Sequence, residues 1–185
     1  EALRERLPDV EAARASAEAL PFRDGVFDAA LAQLVVHFMT DPVAGLREMA
    51  RVSRPGGVVA ACVWDHAGER SPIAVLWRAA REFDSGVHDE SDLAGAREGH
   101  LVELLRAAGL ERVEATELEA PFAPATFEEW WEPFTLGVGP AGGYLAGLDE
   151  ERQAAVRERS RAEVGDGPFS LPAFVWAVRG VSPAR

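Results

Sequence analysis

The four histidines are the side chains of this sequence best suited to move protons at neutral pH, because an unperturbed imidazole has a pKa of about 6.5. His66, His88 and His100 have acidic neighbours, but their spacing matches no metal-binding motif, so we expect no metal site. His37 follows a predicted buried strand and is a candidate general base. The alternative is a structural histidine whose ring nitrogens hydrogen-bond the surrounding loop.

Cys62 is the only cysteine, which excludes an internal disulfide and a cysteine-ligated zinc site. Its neighbours Ala60, Ala61 and Val63 are apolar. We therefore expect Cys62 to pack in the core rather than to act as a nucleophile.

Acidic residues outnumber basic ones by 31 to 19, which gives a formal net charge of −12. Proteins that bind nucleic acids displace counterions with clustered basic residues, whereas the arginines here are scattered among Glu and Asp. We expect a solvated acidic surface and no nucleic-acid partner. No stretch reaches the roughly 20 apolar residues of a membrane helix, and no secretory signal is present, so we expect a cytoplasmic protein without a membrane partner.

Strands are predicted where short apolar or alternating runs are bounded by turn residues. Two of these runs are almost continuously apolar, which is typical of parallel strands covered on both faces. The predicted strands are Asp9–Ala15, Phe27–Ala32, Val58–Trp64, Val113–Leu118 and Phe169–Val178.

Helices are predicted where a capping residue precedes apolar residues at helical spacing. A polar stretch from Asp84 to Gly99 reads as a long loop. The predicted helices begin at Asp41-Pro42 and end near Val52, carry Ile73–Ala80, carry Leu101–Ala108 before Gly109, begin at Thr126, and run from Asp149 to Val164.

The order of these elements predicts an α/β fold, the second half of a Rossmann-like doubly wound sheet. Two inserted helices precede the last strand. We expect a single domain over residues 1–185, with a helical insertion or lid over residues 126–164.

Four ordered motifs resemble the class I S-adenosylmethionine-dependent methyltransferases of the small-molecule type, also called methyltransferase type 11. The resemblance is close from Glu1 to Asp65 and continues in topology alone. The motifs are Ala15–Phe22 (ASAEALPF), Phe27–Ala32 (FDAALA), His37 before Asp41-Pro42, and Arg51–Gly57 (RVSRPGG).

The family's glycine-rich turn and the acidic residue that binds the ribose have no counterpart in this sequence. By the resemblance, Glu1–Leu7 corresponds to the helix that follows the second strand of the family. We therefore expect the N-terminal strands of the family sheet to be missing from this chain. Weak or absent cofactor binding by these 185 residues alone follows from that expectation.

The resemblance implies S-adenosyl-L-methionine as the cofactor. Ser16, Ala17 and Glu18 would lie beside the adenine, with Ser16 in place of the family's usual Asp. Gln33 and Leu34 would contact the methionine part, mostly through the main chain.

The resemblance also places the end of the second buried strand on the cofactor side. Asp65 is there a second candidate base, and Trp64 and His66 are candidate substrate contacts. The insertion, which in this family covers the substrate pocket, contributes three aromatic candidates, although core packing is the alternative for them: Trp130, Trp131 and Tyr144.

The predicted function is methyl transfer from S-adenosylmethionine to an O-, N- or C-nucleophile of a small molecule. The alternative is a non-catalytic remnant of the fold that serves as a binding or interaction module. An incomplete sheet would leave a strand edge exposed, so a homodimer is a possible assembly.

Overall fold

The computed structural model describes residues 5–184. Its four strands form one sheet in the order β1-β2-β4-β3. β1 and β2 are parallel, whereas β4 is antiparallel to both of its neighbours. The strands are β1 (Phe27–Gln33), β2 (Ser53–Trp64), β3 (Glu111–Glu119) and β4 (Phe174–Val181).

The crossover between β1 and β2 is helix α1 (Pro42–Val52). Asp41 caps this helix, since its carboxylate accepts a hydrogen bond from the backbone N–H of Ala44 at 2.9 Å, and Pro42 suits the first turn. Gly56 then takes a φ of +76°, which glycine adopts without steric cost. The predicted helix is confirmed.

The remaining helices flank the predicted loop and fill the insertion before β4. Residues 84–99 contain no helix or strand. Gly109, with a φ of +87°, follows the end of α3 as predicted. The helices are α2 (Ala74–Phe83), α3 (His100–Ala107), α4 (Phe127–Thr135), α5 (Gly139–Ala146) and α6 (Glu150–Val164).

The hydrophobic side chains form two separate cores. One covers a single face of the sheet, where Val59 and Val63 of β2 pack beneath Leu46 of α1 and Leu105 of α3. The other lies among α2, α4, α5 and α6 and contains the aromatic residues of the insertion. The insertion is therefore a helical cluster with its own core.

The opposite face of the sheet borders an open concavity. Leu31 of β1 is 75% exposed there, and Cys62 is only half-buried on the same face. The expectation that Cys62 packs in the core is therefore wrong.

Several predicted bounds also need correction. Residues 9–15 form no strand, because a short, partly alternating segment needs a neighbouring strand to complete its hydrogen bonds, and these residues lie mostly exposed. β2 begins at Ser53, before the predicted Val58, and the last strand begins five residues later than predicted. The insertion has three helices rather than two, since Gly139–Ala146 is helical despite its glycines.

Candidate functional site

The candidate site lies where β1 and β2 end. Because these strands are parallel, their carboxyl ends meet at one edge of the sheet, which is where open α/β sheets bind ligands. Gln33 and Leu34 leave β1 at this edge. Leu34 donates its backbone N–H to Cys62 O at 3.0 Å and has a φ of +55°, a strained conformation for leucine that is characteristic of functional segments.

His37 and His66 come together just beyond this edge. His37 lies in the 3-10 turn Val36–Phe38, and His66 follows the end of β2. Each residue is 7% exposed, and the two ring centroids are 6.0 Å apart. The structure thus brings the predicted base and a predicted substrate contact into one cluster.

Burial favours the neutral form of both imidazoles. Burial lowers the pKa of His37. Burial also lowers the pKa of His66 to about 4, with a smaller contribution from the neighbouring His37, because a buried positive charge loses its hydration. Among the described residues, Nδ1 of His37 and both ring nitrogens of His66 are buried without a hydrogen-bond partner.

Asp65 is buried, and both oxygens of its carboxylate accept hydrogen bonds. Its carboxylate accepts hydrogen bonds from Gly68 N at 2.9 Å, from Arg70 Nε at 2.6 Å and from Trp176 Nε1 at 3.1 Å. The residue is only 3% exposed. These contacts fold residues 65–70 into a tight turn that carries His66.

The segment predicted to contact adenine is attached to the start of α1. The carboxylate of Glu18 accepts hydrogen bonds from Thr40 N at 2.8 Å and Asp41 N at 3.4 Å, as well as from the hydroxyl of Ser16. These bonds, with that of Ser16 contributing most, lower the pKa of Glu18. Ser16, Ala17 and Glu18 are thereby held beside the segment that leads from His37 to α1.

The aromatic candidates of the insertion lie in the second core. Trp130 is 2% exposed and donates its Nε1–H to Pro72 O at 2.8 Å. Trp131 is also buried, against the ring of Phe127. Tyr144 is half-buried, with its ring centroid 5.5 Å from that of Trp77. Packing therefore accounts for the two tryptophans, and Tyr144 is the candidate that keeps an accessible side chain.

Sequence reasoning missed a buried carboxyl group in the long loop. Glu90 is 5% exposed and accepts a hydrogen bond from Trp77 Nε1 at 2.7 Å. Burial raises the pKa of Glu90. The polar sequence around it is typical of a solvated loop, so no local signal distinguishes this residue.

Two further properties concern the described residues as a whole. No helix in residues 5–184 has the length and apolar character needed to cross a membrane. In the same residues, no group of three or more His, Cys, Asp or Glu side chains could hold a metal ion.

The sequence is similar to known methyltransferases over part of its length. Residues 1–61 match a family model described as a methyltransferase domain. The demethylmenaquinone methyltransferase of Mycolicibacterium vanbaalenii is 50% identical over 54 residues, which are 29% of this chain and 24% of that protein. The demethylmenaquinone methyltransferase of Mycobacterium sp. (strain KMS) is 46% identical over 73 residues, 40% of this chain and 31% of that protein. The chain thus spans about a quarter to a third of the length of these curated relatives.

The fold is similar to solved methyltransferase structures over nearly the whole chain. An S-adenosylmethionine-dependent methyltransferase of Thermotoga maritima, a possible histamine N-methyltransferase, superposes with a TM-score of 0.53 at 20% identity, covering 98% of this chain and 68% of that one. The YcgJ protein of Bacillus subtilis superposes with a TM-score of 0.56 at 16% identity, covering 100% of this chain and 76% of that one. The fold is therefore that of the class I methyltransferases, as the sequence predicts.

Proposed function

We propose that the protein transfers a methyl group from S-adenosylmethionine to a small-molecule acceptor. The observation that carries this proposal is the carboxyl edge of β1 and β2, where the strained Leu34 and the buried His37 and His66 lie together in a class I methyltransferase fold. The match to a methyltransferase-domain model covers residues 1–61, which include Leu34 and His37 and end within β2.

Two segments of the chain suit the cofactor. Ser16, Ala17 and Glu18 supply a hydroxyl, a carboxylate and main-chain groups on the adenine side, held in place by the contacts of Glu18 with Thr40 and Asp41. Gln33 and Leu34 supply the methionine side at the end of β1. When bound, the cofactor provides a methyl group on a sulfonium, whose transfer needs alignment of the acceptor and exclusion of water.

His37 is the general base that we favour. Burial lowers its pKa and so favours the neutral imidazole, the form that can accept a proton from the acceptor. Asp65 is the second candidate, but its carboxylate already accepts hydrogen bonds from Gly68, Arg70 and Trp176. We therefore assign Asp65 the role of holding the turn that follows Trp64 and carries His66.

We further propose that the helical insertion of residues 126–164 covers the acceptor site and sets its specificity. Its helices form their own core with α2. Substitutions on the surface of the insertion can therefore change the acceptor site without disturbing the sheet. In this arrangement the tryptophans Trp130 and Trp131 support the cover, and Tyr144 is the aromatic side chain available to an acceptor.

The test is methyl transfer by the complete gene product carrying His37→Gln. Radiolabelled S-adenosylmethionine would be offered with a panel of phenols, amines and a demethylmenaquinol, the last because the relatives described above are named for that reaction. We expect turnover to fall by about 10²-fold, the usual size of a general-base contribution, with cofactor affinity unchanged by calorimetry. The matched control is His88→Gln, which removes an exposed histidine.

The results separate the candidate functions. Loss of turnover with retained cofactor binding supports the proposal. Unchanged turnover in His37→Gln removes the base assignment. Failure of the unaltered complete protein to bind the cofactor or to transfer a methyl group to any acceptor would favour the non-catalytic binding module.

A further inference from the structure

The pair formed by His37 and His66 has more hydrogen-bonding capacity than the described residues use. Three of its four ring nitrogens are buried and lack a partner among residues 5–184. Buried polar atoms in proteins almost always have partners, and an exception calls for an explanation such as a bound ligand. Two such rings, both more than nine-tenths buried and with centroids 6.0 Å apart, indicate a built polar site.

We propose that His37 and His66 together bind an uncharged hydroxyl group of the acceptor, so that the substrate class is a neutral hydroxy compound rather than an amine or a carboxylate. This inference rests on the proposed methyl transfer and deepens it. His66 is thereby assigned a direct contact with the acceptor group, beside the base His37.

The charges around the pair support a neutral ligand. The charged groups that act on His66 are Asp65, on the same turn, and Asp89, in the loop of residues 84–99. Asp65 is paired with Arg70 and Asp89 with Arg81, so both carboxylates are already neutralised. An ammonium or carboxylate ligand would therefore lose its hydration without gaining a counter-ion, which is strongly unfavourable in a buried site.

The hydrogen-bonding character of the pair also matches a hydroxyl. A neutral imidazole presents one donor and one acceptor, and a hydroxyl presents the same two functions. His37 can accept the hydroxyl proton while His66 donates to the oxygen. Burial and the mutual repulsion of the two rings keep His66 neutral when His37 takes the proton.

The proton and charge balance is complete. As the acceptor oxygen bonds to the methyl carbon, the carbon–sulfur bond breaks with its electron pair on sulfur, and the hydroxyl proton moves to His37. The positive charge lost by the sulfonium therefore reappears on one imidazole. That proton then passes to solvent.

The surroundings of the pair hold it in place close to the protein surface. His66 is fixed by the hydrogen bond from its backbone N–H to Trp64 O at 2.9 Å and by the turn that Asp65 closes. Phe38 covers the ring of His37, with centroids 3.9 Å apart. Phe38 is itself 57% exposed, so the pair lies just beneath the protein surface.

The experiment is histidine-ring NMR on the complete gene product, with three probes of similar body and different charge. Benzyl alcohol, benzylammonium and benzoate would be titrated while the ring ¹⁵N signals of the four histidines are followed. We expect the alcohol alone to shift His37 and His66. In His66→Leu, we expect the alcohol concentration needed to shift His37 to rise about tenfold, the effect of one lost hydrogen bond, and His88→Leu is the matched control.

Each outcome decides the proposal. Selective shifts by benzyl alcohol that weaken in His66→Leu support it. No shift with the alcohol, or stronger shifts with benzylammonium or benzoate, overturns it. Because ring shifts require no turnover, they are independent of the methyl-transfer assay, and a positive shift without methyl transfer would contradict the proposed function alone.

Discussion

Arg70 closes the turn that carries His66, because its Nε donates a hydrogen bond to Asp65 Oδ2 at 2.6 Å. The same guanidinium lies over the ring of Phe174 at 4.6 Å and that of Trp176 at 5.3 Å. It also pairs with Glu117 of β3 at 2.5 Å. Arg70 thus joins the end of β2 to β3 and β4, and it fixes the position of the candidate site.

Removal of the Asp65 carboxylate is expected to be costly. In Asp65→Ala, the indole N–H of Trp176 and the N–H of Gly68 lose their acceptor, and Arg70 loses its buried partner. We expect the free energy of unfolding to fall by about 3 kcal/mol, as for other broken buried pairs, measured by urea denaturation. The control is Glu114→Ala, which removes an ion pair with Arg179 whose side chains are both 65% exposed and should cost less than about 1 kcal/mol. Equal losses in the two variants would contradict the role given to Asp65.

The β1–α1–β2 unit could be predicted from sequence because its signals are local. Asp41-Pro42 sets the helix start, and the apolar runs after it and before it mark buried strands. The failure at residues 9–15 has the opposite cause, since a strand depends on its neighbours in the sheet and these are not encoded in the segment itself.

The candidate site was predictable in part. The positions of His37 and His66 follow from the general rule that parallel strands direct ligands to their carboxyl ends. The hydrogen bonds that occupy the Asp65 carboxylate could not be predicted, because their donors Arg70 and Trp176 lie 5 and 111 residues away in the chain. The left-handed backbone of Leu34 also has no signal in its residue type.

The depressed pKa of His66 predicts a pH-dependent stability. In the folded protein this pKa is about 4, against 6.5 for an unperturbed histidine, so the unfolded chain binds the proton more readily between these two values. The stability contribution of neutral His66 is therefore present above pH 6.5 and is lost as the pH falls through 4. At about 1.4 kcal/mol per pKa unit, the loss amounts to about 3 kcal/mol.

The measurement is the free energy of unfolding from pH 7 to pH 4 in the wild type, in His66→Gln and in His88→Gln. We expect His66→Gln to flatten the curve over this window, whereas His88→Gln should follow the wild type. A His66→Gln curve parallel to that of the wild type would show that His66 is protonated normally in the folded state.

Glu90 is expected to act in the opposite direction. Burial raises its pKa, so the folded state holds the proton more tightly, and stability declines as the pH rises above the unperturbed value of 4.5. Glu90→Gln keeps an acceptor for Trp77 Nε1 and should remove this decline, giving a more stable protein at pH 7. Glu90→Leu leaves the indole N–H buried and unpaired, so its free energy of unfolding should be about 2 kcal/mol lower than that of Glu90→Gln. Denaturation followed by tryptophan fluorescence compares the two variants, and a Leu variant as stable as the Gln variant would refute the contribution of the hydrogen bond.

Gly68 gives the most direct test of the turn that presents His66. A Cβ at this position would lie 2.2 Å from Asp65 Oδ2 and 2.8 Å from Oδ1, so Gly68→Ala must displace the carboxylate from its partners. We expect a loss of stability of about 2 kcal/mol together with shifted ring signals of His66 by NMR. Gly143→Ala is the matched control, because nothing lies within 4 Å of the added Cβ and alanine favours the helix by about 1 kcal/mol. A general loss of packing would shift the ring signals of all the histidines. A shift confined to His66 and His37 would therefore show that the turn positions the candidate site. An unchanged His66 signal in Gly68→Ala would show that the turn does not position it.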